Sequence, residues 1–288
     1  MPNLDLVHKD DLSSFRKIAI GTWQTAYDPS VYGTMELRMD KAMDYIAQYR
    51  AATGKRLTVT HLLAKATAMC FQRCPDANAV IRFNRIYLRK IIGVFMQVVM
   101  TDEGADKIDL SGATIYEVEK LSLTEIVEQV EAKVDKVRKR QDPALEGTRS
   151  SFKKMPHFIL NAFLKALAFF SFELNLDLRW AGVPKDPFGS VMITNIGSIG
   201  LNQAYVPLVP YSHVPILLAT GNVVEQPVVE DGKIVVGKVM KINATFDHRI
   251  IDGFHASIMS KTLKEFLENP FEKFDPIPSG AAKAANAG

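Results

Sequence analysis

Thr245-Phe246-Asp247-His248-Arg249-Ile250-Ile251-Asp252-Gly253-Phe254-His255 is the stretch on which the fold turns. It follows an apolar, strand-like run from Val235 to Phe246 and leads into a helix-like run from Ala256 to Leu267. A histidine at such a junction is placed to project into a cleft rather than a core. His248 can take a proton near neutral pH. Asp252, four residues on, is read as either orienting the imidazole or anchoring the loop, and Gly253 permits a tight backbone there.

Working outward, Gly189 to Ile193 reads as a strand, and Thr194-Asn195-Ile196-Gly197-Ser198-Ile199-Gly200 follows it as a turn. A hydroxyl at Thr194 can donate to a developing oxyanion, although Thr and Asn also serve as ordinary turn caps. Gly197 and Gly200 do not form a dinucleotide fingerprint, and no phosphate-loop lysine follows them. Pro215 to Gly221 reads as a buried strand, and Glu230-Asp231-Gly232 as a hairpin turn. Towards the N-terminus, Val31 to Met39 is a strand, and Asp40 is expected to cap a helix from Lys41 to Thr53 that stops at Gly54. A second helix runs from about Thr60 to Cys74, ahead of Pro75. Ala79 to Phe83 and Ile86 to Leu88 suggest a hairpin about Asn84-Arg85, and Ile91 to Met100 and Ala113 to Val118 read as strands. Ser122-Leu123-Thr124-Glu125 has the capping-box pattern and opens a helix with Leu123, Ile126, Val127, Val130, Val134 and Val137 on one stripe. The basic run Lys136 to Arg140 is read as its solvated end. This mixture of strands and helices argues for an α/β chain, an α+β two-layer sandwich with a mixed sheet flanked by helices.

Met155 to Leu174 is apolar nearly all round, with Lys165 in its middle. Such a helix wants cover on most faces. Burial in a core or a subunit interface is expected ahead of a monotopic membrane contact, and a true span, which needs about 20 apolar residues, comes last. The tail from Pro276 to Gly288 has no apolar face and is expected to be disordered.

The chain has 288 residues, 47% hydrophobic and 23% charged, with a formal net charge of +3. That balance argues against a dedicated nucleic-acid binder, which would cluster Lys and Arg on one face. The two cysteines, Cys70 and Cys74, lack the further ligands of a zinc site, so no metal is expected. As buried free thiols they fit a reducing cytoplasm, and Met1 to Arg16 shows no secretory h-region. No Gly-x-Ser-x-Gly elbow is present.

Phe246 to Gly253 resembles the Asp-His-Arg-x-x-Asp-Gly signature of the dihydrolipoamide acyltransferase catalytic domain, the core of 2-oxo acid dehydrogenase complexes. Chloramphenicol acetyltransferases share that fold and a shorter version of the motif. Met192 to Gly200 resembles the family's Ser/Thr-Asn-x-Gly segment, and Phe15-Arg16-Lys17-Ile18-Ala19 resembles its opening Arg-Lys-x-Ile-Ala. The likeness runs from about Ser14 to Pro270. It implies a chloramphenicol acetyltransferase-like fold over residues 1–275, with an enlarged helical insertion at 141–188. It implies that His248 is a general base, that Thr194 stabilises the oxyanion, and that Asp252 pairs with Arg16 to hold the histidine loop. It implies coenzyme A as the acyl-CoA substrate and a homotrimer with His248 and Thr194 contributed by different subunits, or a larger cage. No lipoyl domain precedes Arg16, so no covalent lipoyl is expected on this chain, and a separate lipoyl-domain protein or dehydrogenase subunits are the expected partners. The acceptor, a thiol or a hydroxyl, stays open. So do two alternatives: a non-catalytic assembly component, and a small-molecule or lipid O-acetyltransferase.

Overall fold

In the computed structural model, residues 2–9, 29–101, 108–138 and 157–278 are described. Their organising feature is a six-stranded mixed sheet in the order β2-β9-β8-β7-β5-β6. Its strands are β2 (Ser30–Arg38), β5 (Gly93–Thr101), β6 (Ile108–Tyr116), β7 (Val191–Asn195), β8 (Ile216–Glu230) and β9 (Lys233–Asp247). β7 runs parallel to both neighbours, and the other pairs are antiparallel. β8 and β9 form one long hairpin about Asp231-Gly232, as the turn residues predict.

Helices cover one face: α1 (Asp40–Thr53), α2 (Val59–Arg73), α3 (Leu123–Arg138) and α5 (Gly253–Glu268). Leu37, Val94, Ile115, Ile193, Leu218 and Ile242 project from alternate strand positions into the core beneath them. α3 opens as its sequence predicts, with the Ser122 amide donating to Glu125 Oε2 at 2.7 Å and the Glu125 amide donating back to Ser122 Oγ at 3.3 Å. Lys65, half-buried on α2, donates to the carbonyls of Val118, Glu119 and Leu121 and pins the turn ahead of α3. Gly54 ends α1 in the left-handed conformation. Asp40 does not cap that helix. It is the first helical residue, and its carboxylate takes the Arg38 guanidinium and the Lys238 amide instead. Cys70 and Cys74 are buried free thiols. The 79–89 hairpin forms as β3 (Ala79–Arg82) and β4 (Arg85–Arg89), but it turns at Phe83-Asn84, one residue earlier than expected.

A second, three-stranded sheet, β1-β4-β3, joins this hairpin to β1 (Leu6–His8). Against it packs the segment that starts with α4 (His157–Ala168), and Leu4, Val80 and Phe172 form a small separate core there. Polar ties lock the pieces together. Asn3 Nδ2 donates to the Ser171 carbonyl, the Leu4 amide to Asn175 Oδ1, and the Asp186 amide to Asn3 Oδ1. Arg82 donates twice to the Glu173 carbonyl. The N-terminal strand and the 157–187 segment are thus one structural unit. Of the core or subunit-interface burial expected for the apolar helix, its own chain supplies cover on one side only. Leu164, Leu167 and Ala168 are sheltered, whereas Ile159, Phe163, Phe169 and Phe170 are exposed. Among the described residues no helix is long and apolar enough to cross a membrane. The expected tail falls largely in 279–288, outside the described residues.

Candidate active site

β9 delivers His248 to the end of the sheet. The last strand amide, Asp247, donates to the Pro215 carbonyl, and the His248 amide donates to the Pro29 carbonyl at 3.0 Å, so the residue leaves the sheet with its backbone held on both sides. Arg249 folds back on Asp247 in a two-pronged pair, with Nε at 2.9 Å from Oδ1 and Nη2 at 2.6 Å from Oδ2. A planar guanidinium matches a carboxylate in this way, and the half-buried pair fixes the residues on either side of the histidine. His248 Nδ1 lies 3.0 Å from the Ile251 carbonyl oxygen. A carbonyl only accepts, so Nδ1 carries the proton and Nε2 is the basic nitrogen of the neutral ring.

Asp252 anchors the loop from its far side by starting α5. Its carboxylate accepts from the Phe254 and His255 amides at 3.0 and 3.1 Å, and the Asp252 amide donates to His255 Nδ1 at 3.4 Å to close a capping box, with that Nδ1 2.6 Å from Asp252 Oδ1. These contacts tie Asp252 to the start of α5, and the Ile251 carbonyl is a partner of the imidazole. Arg16, the expected ion-pair partner of Asp252, lies outside the described residues.

Thr194 sits on β7, half-buried, on the sheet face that the helices leave bare. The register places Thr194 opposite Ala219, Ala219 opposite Asn243, and Asn243 opposite Thr34, a row across four strands. Thr34 Oγ1 donates to Asn243 Oδ1 at 2.9 Å and therefore accepts from the Tyr205 hydroxyl at 2.5 Å. Neither contact is visible in sequence, because both depend on register. Asn195 points to the other face, where its amide reaches Thr60 on α2, while its Oδ1 accepts the Ser198 amide to form the turn. Above this row the 196–202 segment lies tight on the sheet: a Cβ at Gly221 would meet the Asn202 carbonyl oxygen at 2.1 Å.

The same register separates the two candidate chemical groups. His248 is five residues beyond Asn243 and two strands away from Thr194, so within one chain they stand roughly 15–20 Å apart. A single chain does not bring them together on one reacting carbonyl.

Two other histidines are held neutral, His61 buried and His213 partly buried. His61 is held in the capping box that opens α2, and burial pushes it down to about 4, with Arg50 and Arg56 adding to the effect. His213 stacks on Phe172 with ring centroids 4.4 Å apart, and burial followed by the nearby Arg89 and Arg249 charges lowers it to about 4. His213 therefore joins the 157–187 unit to the strand end that carries His248. Among the described residues no cluster of His, Cys, Asp and Glu is arranged to hold a metal.

A model of the 2-oxoacid dehydrogenases acyltransferase (catalytic domain) family matches residues 8–153 and 188–274. The chain belongs to that family. Relatives of this acyltransferase family include the dihydrolipoyllysine-residue acetyltransferase component of the acetoin cleaving system of Bacillus subtilis (strain 168), which is 23% identical over 267 residues, 90% of this chain and 55% of that protein. The corresponding component of the Bacillus subtilis (strain 168) pyruvate dehydrogenase complex is 40% identical over 81 residues, 28% of this chain and 18% of that protein. The chain thus spans about half the length, or less, of these curated relatives. The acyltransferase fold is confirmed by a probable dihydrolipoamide acetyltransferase from Listeria monocytogenes, at a TM-score of 0.63 with 16% identity over 94% of this chain and 99% of that one. The cubic core of the pyruvate dehydrogenase multienzyme complex also matches at 0.63, with 18% identity over 92% of this chain and 93% of that one. The family match skips residues 154–187 and begins at His8. The two pieces it omits at these places, 2–7 and 157–187, are the ones found packed on each other above.

Proposed function

We propose that this chain is a CoA-dependent acyltransferase that moves an acyl group between coenzyme A and a thiol acceptor of the dihydrolipoyl type. The observation that carries the reading is the His248 imidazole, fixed by the Ile251 carbonyl in the tautomer that presents a basic Nε2. In the proposed reaction Nε2 takes the proton of the attacking thiol, and the sulfur adds to the thioester carbonyl. The carbonyl electrons move to oxygen, where the Thr194 hydroxyl of a neighbouring copy donates a hydrogen bond. Collapse expels the second sulfur, which recovers the proton from the imidazolium. A base of this kind contributes about 10² to 10⁴ in rate. A placed oxyanion donor contributes about 10² to 10³.

The separation of His248 from Thr194 within a chain supports a homotrimer, or a larger core built from it, with each site between two copies. Family membership supports reading the described residues as one catalytic domain, with 157–187 as an insertion and Arg16 as the mate of Asp252. A separate lipoyl-bearing protein is the proposed partner.

The test is acyl transfer from acetyl-CoA, followed by CoA release, with dihydrolipoamide and a panel of alcohols and amines, for the wild type and His248→Ala. His248-dependent transfer to dihydrolipoamide is expected. Transfer only to an alcohol or amine would replace the acceptor. Full activity in His248→Ala, or no turnover with any acceptor, would overturn the reading.

A further inference from the structure

We propose that the outer face of α4 and the turn after it form a docking surface for an anionic lipid bilayer, with the helix lying in the plane of the membrane. A helix that faces water carries polar residues on its outer face. α4 instead exposes large apolar side chains among Asn161, Ala162, Lys165 and Ala166. Its sheltered side is Leu164, Leu167 and Ala168, and its exposed side repeats Ile159, Phe163 and Phe170 at helical spacing, with Phe169 beside them. Phe169 packs edge-on against Phe170 at 5.7 Å and against Phe83 at 6.5 Å, so the aromatic surface continues onto the β3–β4 turn. Phe83 is 58% exposed and holds a left-handed backbone, with φ of 46°. A bulky residue rarely tolerates that conformation. Here the Phe83 amide is held by Glu173 Oε2 at 2.7 Å, which fixes the ring outward. Together these side chains expose roughly 400 Å² of apolar surface, the size of the largest patch on an ordinary monomer, which is often functional.

Charge decides the occupant. No acidic residue occurs from His157 to Phe172. The carboxylates that follow are engaged within the unit: Glu173 on the Phe83 amide, Asp177 on Arg179 and Asp186 on Arg89. The exposed cations Lys165 and Arg85 have no carboxylate partner among the described residues. Aromatic and aliphatic side chains with a lysine able to reach past them, and no competing acid, match a negatively charged headgroup layer. At 12 residues the helix is about 18 Å long, too short to cross a bilayer, so it lies along the surface. The helix and the turn after it fall in the part that the family match skips, Phe83 and Arg85 in the part it covers, and none of them belongs to the proposed acyl-transfer site.

The test is flotation of the full chain with phosphatidylcholine vesicles and with vesicles containing 30% phosphatidylglycerol, at low and high salt, alongside sedimentation to follow self-association. Binding to the anionic vesicles, weakened by salt, is expected. Phe169→Asp/Phe170→Asp should lower it at least tenfold, and Lys165→Glu, an exposed site that leaves packing intact, should lower it severalfold. No flotation at either composition would overturn the proposal, as would flotation unchanged in both variants. So would a change of oligomeric state in Phe169→Asp/Phe170→Asp without any flotation of the wild type, which would make the face a contact between copies.

Discussion

The imidazole Nδ1 of His248 and the backbone carbonyl of Ile251, three residues on, stand 3.0 Å apart and fix which ring nitrogen is basic. Thr194 is the second half of the proposed chemistry, and the two halves should fail differently. His248→Ala is expected to lower kcat/KM by about 10² to 10⁴. Thr194→Ala should lower kcat by about 10² to 10³ while leaving KM for CoA nearly unchanged, and Thr194→Ser should restore most of the rate. Steady-state kinetics on the three variants checks this, and a Thr194→Ala variant that changes KM alone would remove the oxyanion role.

Asp252 acts through the helix it starts. Asp252→Ala removes the acceptor for the Phe254 and His255 amides and should destabilise the chain by about 0.5–2 kcal/mol. Asp252→Asn keeps a capping oxygen and should cost far less. Urea unfolding of both variants distinguishes a capping role from a purely electrostatic one, in which Asn would be as damaging as Ala.

His61 and His213 make stability depend on pH. Both are held neutral, down to about 4 in the folded chain against an ordinary value of 6.5. The unfolded chain therefore binds more protons between those values, and stability is full above pH 6.5 and falls as pH drops towards 4. Each site contributes about 3 kcal/mol across that window. His213→Asn, which suits the left-handed backbone at φ 52°, should flatten the slope by about one proton. Urea midpoints from pH 4.5 to 7.5 measure it.

Arg89 is buried, with 2% of its side chain exposed, and pairs with Asp186 at 2.5 Å. Asp186→Asn leaves an uncompensated cation and should cost about 3–5 kcal/mol. Arg89→Met combined with Asp186→Asn should recover much of that loss. A double-mutant cycle followed by thermal unfolding reads the difference. If the double variant were as unstable as Asp186→Asn alone, the cost would lie in the loop around Asp186 rather than in the stranded charge.

How much of this was legible in the sequence follows from what each element depends on. α2, α3, α5 and the β8–β9 turn rest on local caps, turns and periodicity; α2 and α3 came within a residue or two of the expectation, whereas α5 begins three residues earlier and β8 runs nine residues further than expected. His248, Asp252 and Thr194 stood out because motif and flanks are contiguous. The Thr34–Asn243–Tyr205 contacts were hidden, since they join residues about 170 or more apart in sequence through strand register. Asp40 misled because a carboxylate at a helix start caps it only when no better partner competes, and Arg38 lies two residues away. The apolar stretch at α4 read as buried because periodicity reports what a helix needs covered, not whether its own chain supplies the cover.

The four-strand row that holds Thr194 so far from His248 gives the proposed catalyst a stoichiometric signature. Two inactive variants, His248→Ala and Thr194→Ala, each keep one intact half. Unfolded together in equal amounts and refolded, they should regain about one quarter of wild-type turnover, the fraction of contacts in which a good histidine meets a good threonine. Neither refolded alone would rise above its own residual rate. Diluting the wild type below its assembly constant should extinguish turnover while each chain remains folded.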